Sequence, residues 1–133
     1  MDVDRGCTWQ IKVHRSAAPF MTALKQNEPE AFADMIASVK LLAQETNLYE
    51  VNRKPNGLNL QRSYPTGWDI GLLRFKRAGA KWRCILSVVR DGMRIKADEL
   101  TCPGDGSVLQ IVYCDTRHES TYGRLFKDFV SLL

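Results

Sequence analysis

A chain of 133 residues is about one domain's worth, long enough to bury a single sizeable core. Apolar residues make up 44% and charged residues 26%, which is ordinary for a globular protein, and no apolar run approaches the ~20 residues of a membrane span. The net charge is +4, but it is unevenly placed: nine of the 19 Lys and Arg residues fall between Arg62 and Lys96, against only Asp69 and Asp91. The stretch before this window holds seven basic and seven acidic residues, and the stretch after it three against six. A basic band of this kind is the sequence footprint of a polyanion-binding surface. Trp68, Phe75 and Trp82 lie among its charges, and cations with flat rings suit a phosphate backbone whose bases can stack.

The acidic opening Met1-Asp2-Val3-Asp4 lacks the apolar core of a signal peptide. Cys7, Cys84, Cys102 and Cys114 form no CxxC pair and no tight His/Cys spacing. The expectation is a reduced, cytoplasmic protein forming one domain over residues 1–133, with Cys84 a small buried hydrophobe in phase with Trp82 and Leu86.

In chain order, Thr8 to Arg15 alternates, with Trp9, Ile11 and Val13 on one face, and predicts a half-buried strand. From Ala17 the spacing becomes helical, through Phe20, Met21 and Leu24. Asn27-Glu28-Pro29 breaks and restarts the helix, with Pro29 near the new first turn. Phe32, Met35, Ile36, Val39, Leu42 and Ala43 then form one long apolar face, so the two helices make a hairpin. Asn47 to Gly67, with Pro55, Asn56-Gly57 and Pro65-Thr66-Gly67, reads as a connecting loop with at most short structure around Leu58 and Leu60. Strands are predicted at Trp68–Lys76, Lys81–Arg90 and Val108–Cys114, with Ala78-Gly79-Ala80 turning the first pair; Met93 to Leu100 reads equally as strand or loop. Tyr122, Leu125, Phe126, Phe129, Val130 and Leu133 mark the apolar face of a terminal helix. The order β-α-α-β-β-β-α predicts an α+β fold, with a largely antiparallel sheet of about four strands packed against the N-terminal helical hairpin. The first strand would join that sheet as an edge or in parallel with a neighbour.

This order, the Leu72-Leu73-Arg74 strand, the turn, and Trp82-Arg83 opening the next strand together resemble the RelE/ParE superfamily of bacterial toxins. The last strand followed by Arg117-His118 and Tyr122 is similar to the basic-plus-Tyr ending of that superfamily. The resemblance covers nearly the whole chain and rests on short motifs. It implies a compact sheet on a helical hairpin, a cognate antitoxin as partner and, in the RelE branch, an endonuclease that cuts mRNA on the ribosome. The ParE branch poisons DNA gyrase instead. RelE carries lysines on the first strand of the hairpin, where this chain has Ile70 and Leu72.

RNA cleavage by a 2′-hydroxyl needs a base, an acid for the leaving oxygen, and cations for the charge that develops. Arg74, Lys76, Lys81 and Arg83 supply positive charge along one hairpin, and arginine's planar fork can clamp two phosphate oxygens. The assignment is RNA binding by Arg74, Lys76, Lys81 and Trp82, and catalysis by Arg83, Arg117, His118 and Tyr122. His118 is the acid/base candidate, because an imidazole titrates near neutrality. Each residue also has a plainer role open to it: solvated strand charges, a surface histidine, and a core tyrosine in the terminal helix. No metal-ligand spacing, phosphate loop or nucleotide fingerprint is present, so no cofactor is expected and the product would carry a 2′,3′-cyclic phosphate. Two other readings stand beside the ribonuclease: a non-enzymatic toxin that binds gyrase, and a basic nucleic-acid-binding module with neither activity.

Overall fold

The computed structural model describes residues 9–62, 72–94 and 107–116. Within them the elements are β1 (Gln10–Val13), α1 (Ala18–Asn27), α2 (Pro29–Ala43), a 3-10 helix (Leu48–Arg53), β2 (Leu58–Arg62), β3 (Leu72–Arg77), β4 (Arg83–Arg90), β5 (Met93–Arg94) and β6 (Ser107–Asp115). The class is α+β, with two N-terminal helices on a mixed, mostly antiparallel sheet. Five strands run in the order β1-β6-β4-β3-β2, and the two-residue β5 pairs with β4 off that path.

The break between the helices follows from Pro29, which sits in the first turn of α2 with Glu28 as its cap residue. The missing proline N–H costs nothing there, because the first-turn donors of a helix have no partner inside it. Met35, Val39 and Leu42 of α2 are buried in one apolar cluster with Leu73, Phe75 and Leu86 of the sheet. The face predicted from 3-4 spacing is therefore the face that packs.

β1 is both an edge strand and a parallel one, running from Gln10 opposite Val108 to Val13 opposite Ile111 on β6. Its entry is pinned by Trp9, whose backbone N–H donates to Ala43 O and whose indole Nε1 donates to Glu45 O, both at 2.8 Å. Trp9 is fully buried and Val13 is 47% exposed, so the burial expected of this strand fades as it runs along the sheet edge.

The segment read as a loop contains β2. The alternation Leu58-Asn59-Leu60-Gln61 is only four residues long, and the adjoining Pro, Asn and Gly residues outweighed it. Structure comes from β3 on one side and from Asn52 on the other. The Asn52 side chain accepts from Leu60 N at 2.7 Å and donates to Leu60 O at 3.0 Å, in place of a further strand. The undecided stretch after Arg90 gives β5 through a tight turn in which Asp91 and Gly92 both have positive φ, 53° and 79°. That is the conformation Asp-Gly supplies in two-residue hairpins.

On β6, Ile85 pairs with Tyr113 and Leu86 with Ile111, leaving Val112 as an extra residue in the ladder. Ser16 Oγ donates to the Val112 carbonyl at 2.9 Å, so the bulge is held by the chain leaving β1. No helix among the described residues is long and apolar enough to cross a membrane. The expected terminal helix lies outside the described residues.

Candidate nucleic-acid interface

Strand alternation divides the basic residues between two faces. On β2, β3 and β4, Leu58, Leu60, Leu73, Phe75, Cys84 and Leu86 point into the core beneath the helices. The pleat therefore sends Asn59, Gln61, Arg74, Lys76 and Arg83 to the opposite face. Register lines them up: Asn59 lies opposite Lys76, Gln61 opposite Arg74, and Lys76 opposite Arg83. Directly opposed like charges on neighbouring strands destabilise a sheet, so the Lys76–Arg83 pair is a site where stability is given up.

All of these but Arg74 border a groove of about 360 Å³, lined by Asn59, Gln61, Lys76, Arg77, Ala78, Gly79, Ala80 and Arg83. Among the described residues three cations and two carboxamides line it, and no carboxylate does. Gly79, at φ +77°, makes the turn that closes its end. Elsewhere the basic residues are partly neutralised by neighbours: Lys54 pairs with Glu45 at 2.6 Å and Arg53 with Glu50 at 3.4 Å. Among the described residues no carboxylate pairs with Lys76 or Arg83, and Arg83 Nε has no hydrogen-bond partner. Arg83 does face Asp115 across the β4–β6 ladder. The oxygens of Asp115 take the Tyr113 hydroxyl at 2.8 Å and the Thr116 N–H at 2.6 Å.

The sequence-predicted residues separate. Arg74, Lys76 and Arg83 come together on the outward face, with one Arg74 Nη donating to Gln61 Oε1 at 2.8 Å. Lys81 is exposed on the turn and lines a neighbouring cleft of about 560 Å³ beside Glu28, Glu30 and Asp34. Trp82 is 1% exposed, so the stacking role expected of it is corrected: its ring has no free face for a base. Its indole N–H donates to Asp34 Oδ2 at 2.5 Å, and the ring packs 5.6 Å from the fully buried Phe75. An apolar ring with one donor is well served by a core position next to a carboxylate. Trp68, Arg117, His118 and Tyr122 lie outside the described residues.

Sequence reasoning passed over three residues that shape this face. Asn59 and Gln61 were hidden in the segment read as a loop, although the period-two pattern around them was the available signal. Asp34 lies in the helical hairpin and carries no local mark of its role. It pairs with Arg77 Nη1 at 2.9 Å and accepts from Trp82, tying α2 to both ends of the β3–β4 turn.

Cys84 and Cys114 face each other across the β4–β6 ladder and both are buried free thiols. Burial pushes the Cys84 thiol well above its ordinary value, with Cys114 raising it further. Burial, and then the charge of Asp115, push Cys114 up to about 12. Protonated, inaccessible thiols are packing groups rather than nucleophiles. Among the described residues no group of three or more His, Cys, Asp or Glu side chains is placed to hold a metal.

No protein-family model, no curated protein and no solved structure matches this chain significantly.

Proposed function

We propose that the outward face of the β3–β4 hairpin binds the phosphate backbone of single-stranded RNA, and that the protein is a RelE-like toxin acting in the cytoplasm as an mRNA endonuclease. The observation that carries this reading is Lys76 opposite Arg83 at the edge of a groove that no carboxylate lines among the described residues. Two cations one interstrand spacing apart, ~4.8 Å, can hold the same phosphate or successive ones. Arg74 and Lys76 also put positive charge on the outward phase of the first hairpin strand, the strand on which RelE carries lysines. The helix pair packed on a sheet is in keeping with what the same resemblance implies.

In this reading Arg83 and Lys76 offset the charge that develops on phosphorus as the 2′-oxygen attacks. Arg117 adds to the clamp, His118 moves the proton and Tyr122 positions the scissile phosphate. The partners are a cognate antitoxin and the ribosome. A gyrase-directed toxin is the second reading, and it is favoured by Ile70 and Leu72 where RelE has lysines.

The separating experiment runs one purified protein through a translation reporter and a gyrase supercoiling assay, with the Lys76→Ala/Arg83→Ala variant alongside. Loss of reporter signal with 2′,3′-cyclic phosphate ends on the message, both weakened by the variant, is the expected result. Inhibition of supercoiling with intact message would transfer the assignment to the gyrase reading.

A further inference from the structure

We infer that Asn59 reads the ribose 2′-hydroxyl of the bound strand, making the groove selective for RNA over DNA of the same sequence. The inference rests on the phosphate-binding reading above and adds a residue to it.

Its starting point is an unmet hydrogen bond. Asn59 Oδ1 is buried without a partner, on the same groove where Arg77 Nε and Arg83 Nε are buried donors without acceptors. The other amides nearby are committed. Asn47, Asn52 and Asn56 each accept from a backbone N–H, at 3.0, 2.7 and 3.0 Å. Gln61 accepts from Arg74. A carboxamide oxygen left over in a groove of cations is complementary to a ligand that brings acceptors and one donor together. Phosphate supplies acceptors only. A ribose phosphate adds the 2′-hydroxyl, which is a donor on the carbon next to the one bearing the 3′-phosphate.

The register matches that adjacency. Asn59 stands directly opposite Lys76, and Lys76 directly opposite Arg83, so the acceptor lies one interstrand spacing, ~4.8 Å, from the nearest cation. A base edge lies farther from its own phosphate than that. Among the described residues Phe75 and Trp82 give no support for base stacking on this face either, because both are buried in the core. What the face offers is contact with the sugar and the phosphate. The carboxamide needs only to turn about χ2 to meet the hydroxyl. The bond it then makes replaces no protein bond, so it contributes the net value of one neutral hydrogen bond.

The test compares oligouridylate with oligodeoxyuridylate of equal length, which differ only in the 2′-hydroxyl, on the wild-type chain and on Asn59→Ala. A single neutral hydrogen bond corresponds to a preference of about three- to tenfold. The wild type should prefer the RNA by that factor. The variant should bind both strands equally. A 2′-O-methyl strand, which keeps the oxygen but loses the donor, should bind the wild type like DNA. Equal wild-type affinity for RNA and DNA, or an RNA preference that survives in the variant, would overturn the role of Asn59 and leave phosphate binding intact. Failure of the wild type to bind either strand would overturn both.

Discussion

At the scale of single residues, chemistry follows burial more closely than residue type. Trp82 and Arg83 are neighbours in the chain, yet alternation puts the indole into the core and the guanidinium on the opposite face of the sheet. The basic band was legible in the sequence because charge is additive and needs no geometry. The burial of Trp82 was legible as well, from the phase it shares with Cys84 and Leu86, and the charges around it drew the stacking assignment instead. Cys84 was placed correctly from phase alone. Its partner Cys114 gives a pH prediction: the folded thiol titrates at about 12 against the ordinary 9.0, so it keeps its proton where the unfolded chain loses it. Stability from this group is fully present below about pH 9 and is lost as pH rises toward 12, by up to ~1.4 kcal/mol per unit. Denaturant melts at about pH 8 and about pH 11 should show the wild type losing roughly 2 kcal/mol more than Cys114→Ala between the two.

At the scale of elements, the helical hairpin, the β3–β4 hairpin and β6 were readable from periodicity, and β2 was not. Four alternating residues carry little signal, and what makes them a strand is the side chain of Asn52, eight residues before Leu60, and the Leu60–Phe75 pairing. The cost of that omission falls on the site, since β2 contributes the carboxamide wall of the groove. The link between elements is Asp34, which holds Arg77 and Trp82 at once. Asp34→Ala strands a buried indole N–H and frees a guanidinium, and should destabilise the fold by about 2 kcal/mol in chemical denaturation. Asp34→Asn keeps an oxygen for Trp82 and should lose less than half as much. Equal losses in the two variants would show that the Arg77 ion pair, not the indole bond, is the tie that matters.

At the scale of the whole molecule, the separation of charge from core is what makes a binding face. One side of the β2–β3–β4 region packs on α2 through apolar residues. The other carries Arg74, Lys76 and Arg83, and among the described residues no carboxylate lines the groove that Lys76 and Arg83 border. A folded chain gains nothing in stability from opposed cations, so their placement is better explained by an anionic partner. The account depends on that face meeting phosphate. The most direct test is the salt dependence of single-stranded RNA affinity for the wild type and for Lys76→Ala/Arg83→Ala. Each phosphate contact contributes about −0.7 to the slope of log affinity against log salt on a single strand. The double variant should flatten the slope by about 1.4, with its thermal midpoint equal to or slightly above that of the wild type, because the opposed cations are gone. A slope identical to that of the wild type would contradict it.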